Sequence, residues 1–493
     1  MSTAIVVGSG PNGLAAAARL ARAGLEVTVL EASSTLGGGT RSSEMIVPGL
    51  IHDHCSASHP MPTVSPIFVE LGLAAKGPIT WLQPEMDCAH PLDDGSAGVL
   101  YHSIDRTISE MGADGARWRR VFGPSSARFA ILFAEASQPI LRIPRHPLTL
   151  ARFGLGAMMP ATVVGRLFTT AQVRGLWMGV AAHAFTRLDR PMTSAVGMML
   201  VAASHGAGWA VAEGGSGTIA DALVADIERH GGKFETGVRV TSANDLPPSD
   251  VLMLDVSPSI AADILSDRLP ARVARSYRSF HHGPGAFKVD FAIDGDVPWT
   301  APAASQAGTV HLGGSADEVV ANELATYRGD MPDKPFVLVG QQYLVDPTRS
   351  VGDIHPLWTY AHVPNGYSGD ATEAIITQIE RFAPGFRDRI VGTAVRSTTE
   401  MSAYNPNYIG GDIIGGASSL KQLLFRPRVS VDPYFTGIPG TYLCSASTPP
   451  GAGAHGMCGA NAAARALARL GRPSDSSERH QRATSANDER ELT

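Results

Sequence analysis

The chain has 493 residues, 44% of them hydrophobic and 17% charged, with 40 basic against 46 acidic side chains for a formal net charge of −6. That length accommodates two to four domains or one large composite unit with several cores, and the acidic balance, with no Lys/Arg run, excludes a nucleic-acid footprint. Cys55, Cys88, Cys444 and Cys458 form no CxxC pair and no His/Cys ligand spacing, so no metal site and no disulfide framework are expected, and a reducing, cytoplasmic setting is.

The first apolar run, Ala4–Val7, leads straight into glycines and lacks the long apolar stretch of a signal peptide. The opening reads as strand ("TAIVVG"), tight turn ("GSGPNG"), alanine-rich helix ending at Gly24, and strand ("LEVTVLEA"). From Leu71 to about Ala210, long apolar helix-favouring stretches punctuated by prolines predict a mostly helical insertion. Within it, the stretch between Arg190 and Glu213 has no formal charge and is long enough to span a bilayer. Its Thr193, Ser194, Gly197, Ser204, Gly206 and Gly208 predict a buried helix ending in a turn instead. Arg142, Arg145, Arg152, Arg166 and Arg174 lie among apolar residues here, and two readings stand: a membrane-surface patch, or core-facing helices with snorkelling arginines.

"EGGSGTIADALVADIERHGGKFETGVRV" and "SDVLMLDVS" return to α/β character, and residues 274–435 alternate strand-like runs with the helix "DATEAIITQIERFA". "GTYLCSAS" and a second glycine-rich turn then lead into another alanine-rich helix. The expected architecture is α/β plus α+β. A discontinuous Rossmann-type domain takes 1–75, 210–265 and 436–471, a mostly helical module 76–209 and a mixed α+β substrate domain 266–435, and a disordered tail follows at 472–493.

Gly8, Gly10 and Gly13 form G-x-G-x-x-G between strand and helix. The first permits the sharp turn, the second admits a pyrophosphate to the backbone, and the third lets helix and sheet approach. The free N–H groups and the positive end of the helix beginning near Asn12 would face the phosphates, with Ser9 and Pro11 in the same turn. Glu31 ends the second strand, where a ribose-binding acid belongs, and an acid there disfavours a 2′-phosphate. A second glycine cluster, Gly37–Gly39, follows at once with Arg41 beyond it, an extension that points to FAD over NAD.

These pieces, with the mid-chain "EGGSGTIADALVADIERHGGKFETGVRV" and the C-terminal "GTYLCSASTPPGAGAHGMCGANAA", resemble the phytoene-desaturase-like branch of the flavin amine oxidoreductase superfamily over nearly the whole chain to Gly471. The resemblance implies non-covalent FAD, with Glu31 and Ala32 at the adenosine ribose and the Val238 backbone at the adenine. It places Gly37, Gly38 and Arg41 along the pyrophosphate and ribityl chain, and Gly456, Met457, Gly459 and Ala460 at the far wall of the same site. The segment after Val238 is shorter than in most relatives, which predicts a smaller local sheet. No second strand–GxGxxG–helix unit is present, so reoxidation by oxygen, a quinone or a redox protein is expected.

Candidate catalytic residues are Lys288, His59 and His455. Lys288 is either a lysine holding a water near the flavin, as in amine-oxidase relatives, or a solvent-facing strand lysine paired with Asp290. His54, Cys55 and His59 lie just after the cofactor entry segment, with histidine suited to proton transfer near neutral pH; flavin lining and loop packing are both open. His455 would face the flavin if its turn does. His362, Asn405 and Asn407 are candidates for the cavity or for turns, and Cys444 and Cys458 are read as buried small residues.

The expected function is FAD-dependent dehydrogenation, or the reverse saturation, of C–C bonds in an apolar isoprenoid- or lipid-like substrate. Flavin-dependent double-bond isomerisation, amine oxidation and a non-catalytic flavin-stabilised interaction protein remain as alternatives.

Overall fold

Two sheets organise the chain, one parallel and one mainly antiparallel. The structure, a computed structural model, describes residues 2–74 and 77–472; the tail expected to lack order falls outside the described residues from 473 onward. The first sheet has five parallel strands in the order Thr441–Leu443, Val251–Leu254, Thr3–Val7, Glu26–Glu31, Lys233–Thr236. Its central strand is apolar on both faces, as a sheet covered by helices on both sides requires.

The crossover from Val7 to Glu26 is the helix Pro11–Arg22, which starts with proline at its first position. Its run of buried alanines lets two other helices, Gly217–Arg229 and Met457–Arg469, pack against it. One piece of the sheet thus comes from the start of the chain, one from the middle and one from the end.

The second sheet has seven strands in the order Ile390–Arg396, Gly285–Asp294, Ile354–Val363, Val337–Gly340, Ala307–Leu312, Met86–Pro91, Ala97–Tyr101. Pairing is antiparallel except between Met86–Pro91 and Ala307–Leu312. Met86–Pro91 and Ala97–Tyr101 fall in the stretch read from sequence as mostly helical. Met86–Pro91 is buried along its whole length and carries Asp87 and His90, so it shows no polar–apolar alternation to reveal a strand. Gly285–Asp294 differs from expectation in the same way: its first nine residues are all buried, so Lys288 has no solvent face.

Helices Gly115–Ser126, Phe129–Ala136, Pro147–Ala157, Ala171–Ala182 and Ser194–Ala207 form a layer beside the second sheet, with Trp118, Phe122, Phe168 and Trp177 in its core. The uncharged stretch is the buried helix Ser194–Ala207, ended by Gly208 at φ 79°. Among the described residues, no helix is long and apolar enough to cross a membrane.

A buried ionic knot ties the parts together. Arg349, 1% exposed, donates from Nη1 to Asp53 Oδ2 (2.5 Å), from Nε to Asp346 Oδ2 (2.7 Å) and from Nη2 to the Ala212 carbonyl (2.8 Å). Asp53 also accepts from Ser42 Oγ (2.6 Å) and the Ser216 amide (2.7 Å). Burial would raise the Asp53 pKa, but the guanidinium and these donors hold it below the usual carboxylate range. Removing the cation would strand two buried carboxylates. Arg349→Leu is therefore expected to cost about 3–5 kcal/mol in denaturant unfolding, and adding Asp53→Asn to that variant should recover part of the loss.

Candidate functional site

At the carboxyl ends of the parallel strands, where open α/β sheets bind ligands, the chain forms a cleft of about 100 Å³. The glycine turn supplies Gly8, Ser9 and Gly10; the second strand supplies Glu31 and Ala32; the following loop supplies Gly38 and Arg41. Val238 to Val240, Asp255 and Tyr404 to Asn407 complete the walls. Eight of the residues expected at the cofactor from sequence therefore meet in one place.

Local hydrogen bonds explain the shape of the turn. Glu31 Oε2 accepts from the Ser9 amide (2.9 Å) and Ser9 Oγ (2.6 Å), and Oε1 from the Ser33 amide (2.8 Å). Arg41 Nη2 stands 3.3 Å from Glu31 Oε1 and donates to the Thr35 carbonyl at 2.7 Å, fixing the loop that carries the second glycine cluster. Gly37 donates its amide to the Ser9 carbonyl (3.1 Å), which docks that loop on the turn. A Cβ on Gly13 would lie 2.2 Å from the Gly8 carbonyl oxygen, and one on Gly38 would lie 2.8 Å from the Gly10 Cα, so both close approaches require glycine. Pro11, Asn12 and Gly13 stand behind the turn as the first helical turn, and the Asn12 carboxamide oxygen is buried without a partner. The Val238 amide is already committed to the Glu31 carbonyl (2.9 Å), so this residue lines the cleft without a free N–H.

Two walls were not anticipated. Asp255 ends the strand Val251–Leu254, and its Oδ2 accepts from the Gly13 amide at 3.0 Å. Burial, with the neighbouring Glu31 adding to it, pushes this carboxyl up to about 7. The signal was present in "VLMLDVS": an acid at the carboxyl end of an apolar parallel strand sits where ligands bind. Tyr404 ends the helix Thr398–Tyr404 and donates from Oη to the Gly38 carbonyl at 2.6 Å. Asn407 bonds the Ser257 amide (2.8 Å) and the Asp255 carbonyl (3.1 Å), fastening this segment across the cleft.

Gly39 packs where a Cβ would lie 2.2 Å from the Tyr408 hydroxyl and 3.9 Å from the Cys55 Cβ. Lys288 forms a fully buried ion pair with Asp290 and stands 5.4 Å from the Trp358 ring centroid. The pairing with Asp290 read from sequence is present, but not the solvent exposure. Burial lowers the lysine and raises the aspartate, each partner opposing the other's shift.

The candidate histidines occupy other places. His59 Nε2 bonds Ser216 Oγ at 2.8 Å and packs on Trp81, and burial pushes it down to about 4. His455 Nδ1 accepts from the Met457 amide at 3.1 Å at the start of the last helix and is likewise pushed down to about 4 by burial. Near pH 7 both are neutral hydrogen-bonding groups outside the cleft lining. His54, pushed down to about 3 by burial and then by Arg396, bonds Ser43 Oγ at 2.6 Å. His362 pairs with Glu323 (2.7 Å) against Phe185, Asn405 lines the cleft, and Cys444 and Cys458 are buried free thiols.

Gly456, Met457, Gly459 and Ala460 open the last helix against the first helix and do not line the cleft. A Cβ on Gly459 would lie 1.7 Å from the Asn12 carbonyl oxygen, and the Ala460 carbonyl accepts from Arg19 Nη1 at 2.9 Å. Gly459→Val should therefore force the two helices apart and cost roughly 3 kcal/mol or more of stability, read as a fall in Tm. Asp255 supplies a pH test. Its raised pKa means that stability is full below about pH 4 and declines as pH rises toward 7, where the folded state resists ionisation. Asp255→Asn keeps an acceptor for the Gly13 amide, so it should flatten that decline and stabilise the protein at pH 8 in denaturant unfolding. A tenfold difference in proton affinity between the folded and unfolded chain corresponds to about 1.4 kcal/mol.

Comparison with known proteins agrees with this geometry. Residues 6–71, which hold the glycine turn, Glu31 and the second glycine cluster, match the NAD(P)-binding Rossmann-like domain family. The chain is 22% identical to the pyridine nucleotide-disulfide oxidoreductase domain-containing protein 2 of Rattus norvegicus, with 93% of this chain and 92% of the relative covered. It is 28% identical to the hydroxyneurosporene desaturase of Cereibacter sphaeroides over 53% of this chain and 58% of that protein. The solved structure of cyclohexylamine oxidase from Brevibacterium oxydans superposes with a TM-score of 0.59 at 16% identity, covering 96% of this chain and 100% of that one. The chain thus carries a Rossmann-like dinucleotide-binding unit within a two-sheet fold that it shares with an amine oxidase.

Proposed function

We propose that the protein is an FAD-dependent oxidoreductase that dehydrogenates, or in reverse saturates, C–C bonds of an apolar, isoprenoid- or lipid-like substrate. The observation that carries this reading is the convergence of the glycine turn, Glu31, Gly38 and Arg41 on one cleft at the carboxyl ends of the parallel strands. The desaturase relative supports the apolar substrate, and the oxidase fold supports the redox class.

The residues present suit FAD by type. Glu31 offers a carboxylate to an unphosphorylated ribose, the start of the Pro11–Arg22 helix offers its positive end to the pyrophosphate, and the orphaned Asn12 oxygen offers an acceptor. At about 100 Å³ the cleft is smaller than a site for a whole dinucleotide, so the residues named here would hold only part of the cofactor. Once bound, the flavin would accept a hydride from a substrate C–H bond and deliver the electrons to oxygen, a quinone or a redox protein. Lys288 and Asp290 form an ion pair away from bulk water, with the Trp358 ring 5.4 Å from Lys288 Nζ, a charged pair on the second sheet that could act on a substrate bound against it.

Purified protein should carry FAD that is released intact on heating, and anaerobic addition of a reducing lipid fraction should bleach its absorbance. Glu31→Ala should weaken FAD binding at least about tenfold, equivalent to roughly 1.4 kcal/mol. Binding of NAD(P) with no affinity for FAD would sink the cofactor assignment. Bleaching by simple amines with peroxide release, and by no lipid fraction, would sink the substrate class.

A further inference from the structure

Away from the cleft, the helical layer presents a surface unlike the rest of the molecule. From Ala136 to Leu188 the chain contains no Asp or Glu but six arginines, although the protein as a whole carries −6. Of the seventeen large apolar side chains that are exposed among the described residues, eight lie between Ile140 and Leu167. Ile143 is 93% exposed, Leu155 78%, Leu148 77% and Met158 65%.

Local geometry puts the central members of this group on one side of one helix. Leu148 and Leu155 stand seven residues apart on the helix Pro147–Ala157, hence on one side, and Arg152 lies between them on the same side. The opposite side buries Thr149 and Ala157 and packs Leu150 and Phe153 on the core. Both sides of the helix thus carry apolar side chains, one against the core and one toward solvent. Arg142, Arg174 and Arg187 are paired with Glu135, Asp317 and Asp189. Arg145, Arg152 and Arg166 are exposed and form no ion pair among the described residues.

Clustered apolar side chains call for a cover, and unpaired arginines interleaved with them call for anions at the same depth. A layer of phosphates above acyl chains meets both demands at once. We infer that this face docks on an anionic phospholipid bilayer. Ile143, Leu148, Leu155 and Met158 enter the boundary between headgroups and acyl chains, and Arg145, Arg152 and Arg166 pair with lipid phosphates. The Pro147–Ala157 helix is too short to span, so it lies on the surface. This docking surface stands on its own residues and is independent of the flavin reading.

Co-sedimentation of the full-length protein with vesicles tests it, comparing pure phosphatidylcholine with phosphatidylcholine containing phosphatidylglycerol. Binding should require the anionic lipid and weaken with salt. The combined variant Arg145→Gln/Arg152→Gln/Arg166→Gln should bind more weakly by about fivefold per arginine removed. Ile143→Glu/Leu155→Glu should lose binding with unchanged circular dichroism, whereas Val431→Glu, at an exposed valine outside this stretch, should bind as the parent does. Three results would each overturn the inference: no binding to anionic vesicles, equal binding to both compositions, or a concentration-dependent dimer that Ile143→Glu abolishes.

Discussion

The molecule depends on a single guanidinium held away from water. Arg349 bridges Asp53 from the loop after the second glycine cluster, Asp346 from the loop after a second-sheet strand, and the Ala212 carbonyl ahead of the Gly217–Arg229 helix. Asp346 also accepts from the Gly214 amide (2.8 Å), and Asp53 from Ser42 and Ser216. In a dry interior such a network is favourable only when every partner is in place. It therefore ties together the segments that carry Asp53, Ala212 and Asp346. His59, bonded to Ser216 beside this knot, adds to the same network.

From the cleft to the second sheet the electrostatics change. Near the glycine turn, Glu31 is matched by Arg41 and by backbone donors, while burial pushes the Asp255 carboxyl up to about 7. At the far end, Lys288 and Asp290 neutralise one another without solvent. The buried histidines between and around these groups are pushed toward neutrality, which suits them to hold loops by hydrogen bonds.

The legible parts of the site were the local ones. Gly8, Gly10, Gly13 and Glu31 lie within one βαβ unit, so their spacing reports their geometry, and Arg41 follows ten residues later. Asp255 and Tyr404 belong to the same cleft but come from 242 residues beyond Gly13 and 366 beyond Gly38, and nothing in their local pattern names their partners. The second glycine turn shows the opposite case. Gly459 was legible as a position needing glycine, but what it approaches is the Asn12 carbonyl of the first helix, not the cleft. The strand Met86–Pro91 was hidden because a strand buried on both faces shows no alternation, and of the two readings open for Lys288 the solvent-facing one fails for the same reason.

By itself the sequence determined the Rossmann-like unit, its glycine turn and its acid, because backbone sterics and helix N-termini act over a few residues. It also determined the acid-free, arginine-bearing character of residues 136–188, since composition needs no fold to be read. Tertiary structure alone decided which strands complete each sheet, that Asp255 and the Tyr404–Asn407 segment close the cleft, and that Lys288 and Arg349 are buried. Those outcomes depend on burial and on partners brought from hundreds of residues away, and desolvation, which sets both the pKa shifts and the strength of ion pairs, is a property of the packed whole.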